Sequence, residues 1–279
     1  MENSIYKTPG GQQAIMALYD SFLSSWPVPY RTQTVNTRYG DTSMILCGDE
    51  ALPPLILLHG ASSNATAWAG DAAAYSRHFF VIVVDVIGEP GRSAPTRPPW
   101  TGDAYAEWLA DVLDGLKIKA ASLLGLSQGG WIALKFAVCY PQRVQKLVLL
   151  SPAGVVPTKP SFILRAMACT LLGRRGTQWL NRYVFGGKPI EPRVEQFMDL
   201  ILLHVQPRFD GEYIFNDEEL ARLNMPVFLV GGTRDVIRSI EAMQTRLRPL
   251  LPGLHSAILP DTGHVLVNTT DLVLPFLLK

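Results

Sequence analysis

Gly125-Leu126-Ser127-Gln128-Gly129 is the stretch on which the reading of this chain turns. It follows a short apolar run, Ala120 to Leu124, and precedes a helix-like pattern from Trp131 to Tyr140. A serine at the tip of a strand-to-helix turn sits on strained backbone, with its hydroxyl held outward. Side chains at 125 or 129 would collide with the neighbouring strand and helix, so a turn this tight requires glycine at both. The helix that starts directly after the serine aims its first N–H groups at any negative charge formed there. The five residues alone are a common combination. Their strand–turn–helix setting is what marks Ser127 as a candidate nucleophile.

Outward from this turn, Leu55 to Leu58, Phe79 to Val84, Ala121 to Leu124, Lys146 to Leu150 and Val227 to Val230 are short, largely apolar runs. Such runs suit strands buried on both faces of a parallel sheet. Helix-like segments near 66–76, 103–116 and 129–140 lie between them. The alternation predicts an open, mostly parallel, doubly wound α/β sheet flanked by helices. Ligands of such sheets bind beyond the carboxyl ends of the strands, where Ser127 falls.

Upstream, Ile15, Leu18, Tyr19, Phe22 and Trp26 recur at three-to-four spacing. They predict an amphipathic helix over about 12–26 against the main body, ended by Pro27 and Pro29. Thr32 to Arg38 and Thr42 to Cys47 read as an antiparallel pair joined through Tyr39-Gly40-Asp41. Residues 152–224 break the rhythm. They are rich in Leu, Met, Arg, Phe and Trp, with helix-like segments near 161–173, 175–185 and 191–204 and no clear buried strand. The expected organisation is a core domain of residues 1–151 and 225–279, with a helical cap of residues 152–224 inserted over the catalytic edge.

A chain of 279 residues with 48% apolar content supports one large α/β domain with an insertion. A net charge of +1 gives no electrostatic case for nucleic acid or an anionic membrane. Cys47, Cys139 and Cys169 have neither metal-ligand spacing nor a disulfide framework, and read as small interior hydrophobes. No basic segment followed by an apolar core opens the sequence, and no apolar run approaches the roughly 20 residues that span a bilayer. The expectation is a cytosolic protein without nucleic-acid or membrane partners, a monomer or homodimer.

A serine hydroxyl is a poor nucleophile unless a base, usually histidine, takes its proton and a carboxylate orients that base. His264, in Asp261-Thr262-Gly263-His264, follows the apolar Ala257-Ile258-Leu259 and falls at the end of the last strand, on the same edge as Ser127. The other histidines suit the role less. His59 is placed to shape a turn, His78 precedes a strand at the opposite edge, His204 lies in the insertion and His255 opens the last strand. Asp235, in Gly231-Gly232-Thr233-Arg234-Asp235, ends another strand, whereas Ser151-Pro152-Ala153-Gly154 offers no acid. Asp261 is expected to face away or close the turn. Oxyanion donors are expected at the backbone N–H of Gln128, beside the nucleophile, and of Ala61, in His59-Gly60-Ala61-Ser62-Ser63. No cluster has convincing metal spacing, and Gly10-Gly11 and Gly186-Gly187 form no phosphate-binding signature.

The chain order Ser127, Asp235, His264 resembles the α/β-hydrolase superfamily, from about Thr34 onward. His59-Gly60, the Ser127 elbow, Gly232-Thr233-Arg234-Asp235 and Gly263-His264 carry the resemblance. Asp85 to Ser93 is similar to the superfamily's Asp–Gly–Gly–Ser loop after its fourth strand. Trp26-Pro27-Val28, Thr37-Arg38-Tyr39-Gly40 and Ala106-Glu107-Trp108-Leu109 resemble a bacterial carboxylesterase subgroup. The resemblance implies an α/β-hydrolase fold and an acyl-enzyme mechanism with no metal or organic cofactor. A serine nucleophile disfavours dehalogenase and epoxide hydrolase chemistry, which use a carboxylate. The substrate is expected to be a small or medium ester with an apolar acyl group, bound by Ser62, Trp131, Phe162 and Met167. The sequence leaves open a lactonase, for example on acyl-homoserine lactones, a carbon–carbon bond hydrolase, and a signalling or ligand-binding member with slow turnover. Pro275, in the short tail after His264, is expected to shorten the last helix or restart it.

Overall fold

The structure, a computed structural model, describes residues 4–208 and 210–279. A hairpin comes first: β1 (Tyr30–Thr37) and β2 (Gly40–Cys47) pair antiparallel, with Thr37 opposite Gly40 across the tight turn. Then follow β3 (Pro54–Leu58), β4 (Phe80–Val84), β5 (Ala121–Leu126), β6 (Val144–Leu150), β7 (Val227–Gly232) and β8 (Leu254–Leu259). All eight strands join one sheet in the order β1-β2-β4-β3-β5-β6-β7-β8. β2 meets β4 antiparallel, and every pairing from β4 to β8 is parallel.

The helices are α1 (Pro9–Ser24), α2 (Ala69–Tyr75), α3 (Ala104–Gly115), α4 (Gln128–Cys139), α5 (Pro160–Leu171), α6 (Gly173–Val184), α7 (Pro192–His204), α8 (Asp217–Leu220), α9 (Ile240–Leu247) and α10 (Thr270–Leu278). Side chains along a strand alternate between faces, and the two faces build two separate cores. Ile56, Ile82, Leu123, Leu147 and Leu229 pack with Trp108 of α3, Leu134 of α4 and Met243 of α9. Leu55, Val81, Leu124, Val148 and Val230 pack on the other side with Tyr75 of α2 and Val273 of α10. Burial on both faces explains why these strands lack the polar alternation of a half-exposed sheet.

Several elements differ from the sequence expectation. α1 ends at Ser24, and Trp26 lies beyond it in the second core. The helix buries Ile15 and Leu18 in a third cluster with Phe197 and Ile201 of α7, so it joins the insertion to the body. Cys47 and Cys169 are buried, but Cys139 is only half-buried. The last helix is short, nine residues, as expected, and it runs through Pro275 without a restart. A proline inside a helix costs on the order of 3 kcal/mol. Burial of Val273, Phe276 and Leu277 works against that cost. The Lys146 Nζ also reaches the terminal carbonyls of Phe276 (3.3 Å) and Leu277 (2.7 Å), where a cation suits the helix dipole. Between β6 and β7 run α5 to α8, and the one β-pairing found there among the described residues is an isolated bridge, Val205 to Tyr6.

β5 delivers its last residue, Leu126, directly to Ser127, and α4 begins at Gln128. The two glycines of the elbow are there for close approach. A Cβ at 125 would press into the carbonyl of Gly129. A Cβ at 129 would press into the carbonyls of Leu58 and His59 at the end of β3. Backbone cannot yield as a flexible side chain does, so Gly129→Ala is expected to destabilise the fold by about 1–3 kcal/mol, as overpacking does. Urea unfolding measures this; an unchanged midpoint would show that the approach of α4 to β3 has slack.

Candidate active site

Ser127 holds φ +52° and ψ −109°, a conformation that L-residues rarely adopt. Three backbone hydrogen bonds fix it there. Its N–H donates to the Leu150 carbonyl (2.9 Å), and its carbonyl accepts from the N–H groups of Trp131 and Ala153 (3.0 Å each). The side chain meets His264 Nε2 at 2.9 Å from Ser127 Oγ, and His264 Nδ1 lies 2.8 Å from Asp235 Oδ2. The structure thus brings together three side chains from the ends of β5, β7 and β8, far apart in sequence.

Asp235 is 4% exposed, and its second oxygen, Oδ1, accepts from the backbone N–H of Ile237 (2.8 Å) and Arg238 (2.9 Å). Burial alone would raise this carboxyl. The bond from His264 and the two backbone donors outweigh burial and hold it below the ordinary 3.8. Asp235 is therefore ionised at neutral pH and accepts from Nδ1–H, which leaves Nε2 free to accept the serine proton. Asp261 is not a competitor, because it is exposed and pairs with Arg234 at 2.7 Å.

The remaining histidine beside the site does turn work. His59 is 1% exposed; its Nδ1 bonds the Gly60 carbonyl (2.9 Å) and its Nε2 accepts from the Val86 N–H (3.0 Å). Burial lowers its pKa and keeps it neutral, as that pair of bonds requires. His59 so ties the loop after β3 to the end of β4. A Cβ at Gly60 would stand 3.6 Å from the Ser127 Cβ, which sets this loop beside Ser127. Gln128 opens α4, so its N–H has no intrahelical acceptor, and the Ala61 N–H donates to no group among the described residues. Two free backbone donors on segments flanking a serine can receive a developing oxyanion.

The four residues expected around the substrate do not share one setting. Ser62 has φ +56° and gives its N–H to Glu89 Oε2 at 2.7 Å. Phe162 is half-buried on α5, and Met167 is 62% exposed. Trp131 is wholly buried, with its Nε1–H donating to the Tyr213 carbonyl (2.8 Å) and its ring packed on Trp100 and Phe215. Its place is in the frame behind Ser127, and as the structure stands no substrate would touch it.

Two features escaped the sequence reading. Glu89, 5% exposed, accepts from the Ser62 N–H and from Gln128 Nε2 (2.9 Å). The only signal in the sequence was an acid within a Gly- and Pro-containing loop after a buried strand. The second is a grip of the chain between β6 and β7 on His264 and Asp235. The His264 N–H donates to the Val184 carbonyl at the end of α6 (2.9 Å), and Lys159 Nζ reaches the Asp235 carbonyl (2.6 Å). No residue pattern announces a bond accepted by a backbone carbonyl.

Residues 55–273 match the alpha/beta hydrolase family, and the chain belongs to it. An uncharacterized carboxylesterase, nap, of Bacillus subtilis is 33% identical over 89% of this chain and 85% of its own length. Carboxylesterase YbfK of the same species is 31% identical over 89% of this chain and 86% of its own. The crystal structure of that carboxylesterase, CesB (YbfK), superposes with a TM-score of 0.86 over 96% of this chain and 98% of the other. That of naproxen esterase (carboxylesterase NP), also from B. subtilis, is 28% identical and reaches 0.87 over 97% and 99%. The protein is a serine hydrolase of the carboxylesterase type.

Asp235→Asn leaves the geometry but removes the charge that sets the histidine tautomer. It is expected to lower kcat on a p-nitrophenyl ester by about 10³–10⁴-fold, while Asp261→Asn stays near wild type. A fully active Asp235→Asn variant would move the carboxylate role elsewhere. The lowered carboxyl also gives a pH signature. Because the folded pKa lies below 3.8, its stabilisation is complete above that value and is lost as pH falls through the folded pKa. Acid titration of unfolding should therefore show the stability gap between wild type and Asp235→Asn closing below about pH 4.

Proposed function

We propose that Ser127 Oγ attacks the ester carbonyl while His264 Nε2 takes its proton. Asp235 orients the imidazole and stabilises its charged form. The N–H groups of Ala61 and Gln128 hold the tetrahedral oxyanion. His264 then gives the proton to the leaving alcohol, and the acyl-enzyme is hydrolysed by water, which His264 deprotonates in turn. The observation that carries this reading is the unbroken hydrogen-bonded line from Ser127 through His264 to Asp235, at 2.9 and 2.8 Å.

The preferred substrate in this reading is a small to medium ester with an apolar acyl group. Residues 152–224 act as its cap, on a core of residues 1–151 and 225–279. Support comes from the apolar side chains that α5 carries at its surface, Ile163, Leu164 and Met167 among them, and from Phe162 half-buried beside them. One relative bears the name naproxen esterase, and a compact aromatic acyl group falls in the same size range. No helix among the described residues is long and apolar enough to cross a membrane. The reading extends to a cytosolic monomer or homodimer acting on a small molecule, and a net charge of +1 gives no electrostatic case for nucleic-acid or anionic-membrane partners.

Ser127→Ala should reduce kcat by about 10⁴-fold or more, a larger loss than Asp235→Asn, and leave the circular dichroism spectrum unchanged. Short p-nitrophenyl esters should be cleaved faster than emulsified long-chain lipids; the reverse order would refute the size assignment. A single fluorophosphonate label on Ser127 without sustained turnover would favour a ligand-binding protein instead.

A further inference from the structure

Glu89 is a buried acid that the reaction above does not use. It lies in the loop after β4, outside the triad, and only 5% of its surface is exposed. One oxygen accepts from the Ser62 N–H at 2.7 Å, and the other accepts from Gln128 Nε2 at 2.9 Å. Ser62 follows Ala61 in the chain, and Gln128 follows Ser127. A single carboxylate therefore bridges the two segments that bear the free N–H groups of Ala61 and Gln128.

Holding an acid there opposes solvation. Burial pushes the Glu89 carboxyl up, and only the bonds from Gln128 and Ser62, with Arg97 and Arg208 farther off, pull it back. An apolar residue of similar size would avoid that cost and would bridge nothing. His59 and Asp85 tie down the two ends of this loop, at Val86 and Ala65; between them Ser62 sits at positive φ and the Ala61 N–H is unpaired among the described residues, so Glu89 is what holds the middle. Two donors on separate segments stabilise an oxyanion only if their separation is fixed before the charge forms.

We propose that Glu89 is a positioning residue that sets the spacing of the two oxyanion donors by clamping Ser62 and Gln128 together. The inference rests on Ser127 being the nucleophile. Its signature is a loss confined to the transition state. Gln at 89 can accept from Ser62 and face a flipped Gln128 amide, so it keeps the bridge, whereas Ala removes it.

The test compares wild type, Glu89→Ala and Glu89→Gln on p-nitrophenyl butyrate, with a trifluoromethyl ketone as the oxyanion mimic and the product acid as a ground-state ligand. Glu89→Ala should lose about 10- to 100-fold in kcat with KM changed by less than about threefold, short of the 10²–10³-fold typical of deleting a donor. Affinity for the ketone should fall in the same proportion, product affinity should hold, and Glu89→Gln should recover most of the loss. A Glu89→Ala enzyme with wild-type kcat, or with reduced kcat but undiminished ketone affinity, overturns the clamp. If Glu89→Ala does not fold, Gln128→Ala cuts one arm and spares the backbone donor. A kcat loss of about 5- to 20-fold then supports the clamp, on the same scale of a donor displaced and not deleted, and an unchanged kcat overturns it. Fluorophosphonate labelling separates the two readings. Wild type that reacts at Ser127 while Glu89→Ala matches it in turnover removes the clamp alone. Wild type that fails to react at Ser127 removes the triad assignment and the clamp with it.

Discussion

The left-handed backbone of Ser127 is the constraint on which the site depends. A non-glycine residue in such a conformation costs on the order of 1–3 kcal/mol and persists only where its surroundings over-determine it. Here they do. β6 takes the Ser127 N–H through Leu150, α4 returns a bond through Trp131, and the chain after β6 adds one from Ala153. The close approach of α4 to β3 and β5 leaves no room for a side chain at 125 or 129. Relaxing the serine would mean moving a helix away from two central strands whose faces fill both cores. Core packing thus holds a single hydroxyl where the ends of β7 and β8 can reach it.

Asp235 and His264, which complete the hydrogen-bonded line from Ser127, are held by less regular means, and the chain between β6 and β7 takes part in both. Asp235 sits in a loop whose carbonyls accept from the insertion, at Asp235 from Lys159 Nζ and at Ile237 from the Lys159 N–H (2.8 Å). Glu212 adds bonds to Thr158 and to the buried Arg238. On the far side, the Val184 carbonyl holds the His264 N–H, and a Cβ at Gly263 would run into Val184 to Gly186. Backbone bonds of this kind, worth about 0.5–1.5 kcal/mol each, tie the histidine and aspartate loops to the segments that begin and end α5 and α6. The segments around α5 and α6 and the Asp235 and His264 loops are one packed unit at these points, so displacing α6 would disturb His264 itself.

This division explains what the sequence could and could not disclose. The buried strands were legible because burial on both faces leaves unbroken apolar runs such as Leu55 to Leu58. The elbow was legible because the geometry demands glycine at two fixed positions. Asp235 and His264 could be located as polar residues directly after apolar strands. α9 went unread because only Ile240, Met243 and Leu247 of its eight residues are buried, too short a stripe to stand out. Trp131, four residues after Ser127, is expected at the substrate. On α4 that spacing turns its ring inward, onto Trp100 and Phe215. Glu89 was invisible because its partners, one backbone N–H and one amide, lie 27 and 39 positions away.

Three buried carboxylates at the carboxyl end of the sheet share one physical logic. Asp85 accepts from the N–H groups of Ala65 (2.7 Å) and Arg92 (3.0 Å) and from the Tyr19 hydroxyl (3.0 Å). Asp235 accepts from two backbone N–H groups and His264, and Glu89 from one backbone N–H and Gln128. Parallel strands end here in loops with no ladder to pair their N–H groups, and an unpaired buried donor costs about 1–3 kcal/mol. A carboxylate offers two oxygens and so can serve two loops at once, which a single carbonyl or hydroxyl seldom does. Each acid is costly alone and each loop is costly alone; joined, they make a rigid polar rim on an apolar sheet. Asp85 joins the loop after β3 to the loop after β4, and Asp235 joins the β7 loop to His264. Glu89 joins the two segments beside Ser127. The residues nearest the chemistry therefore take their positions from acids that the same sheet has buried away from water.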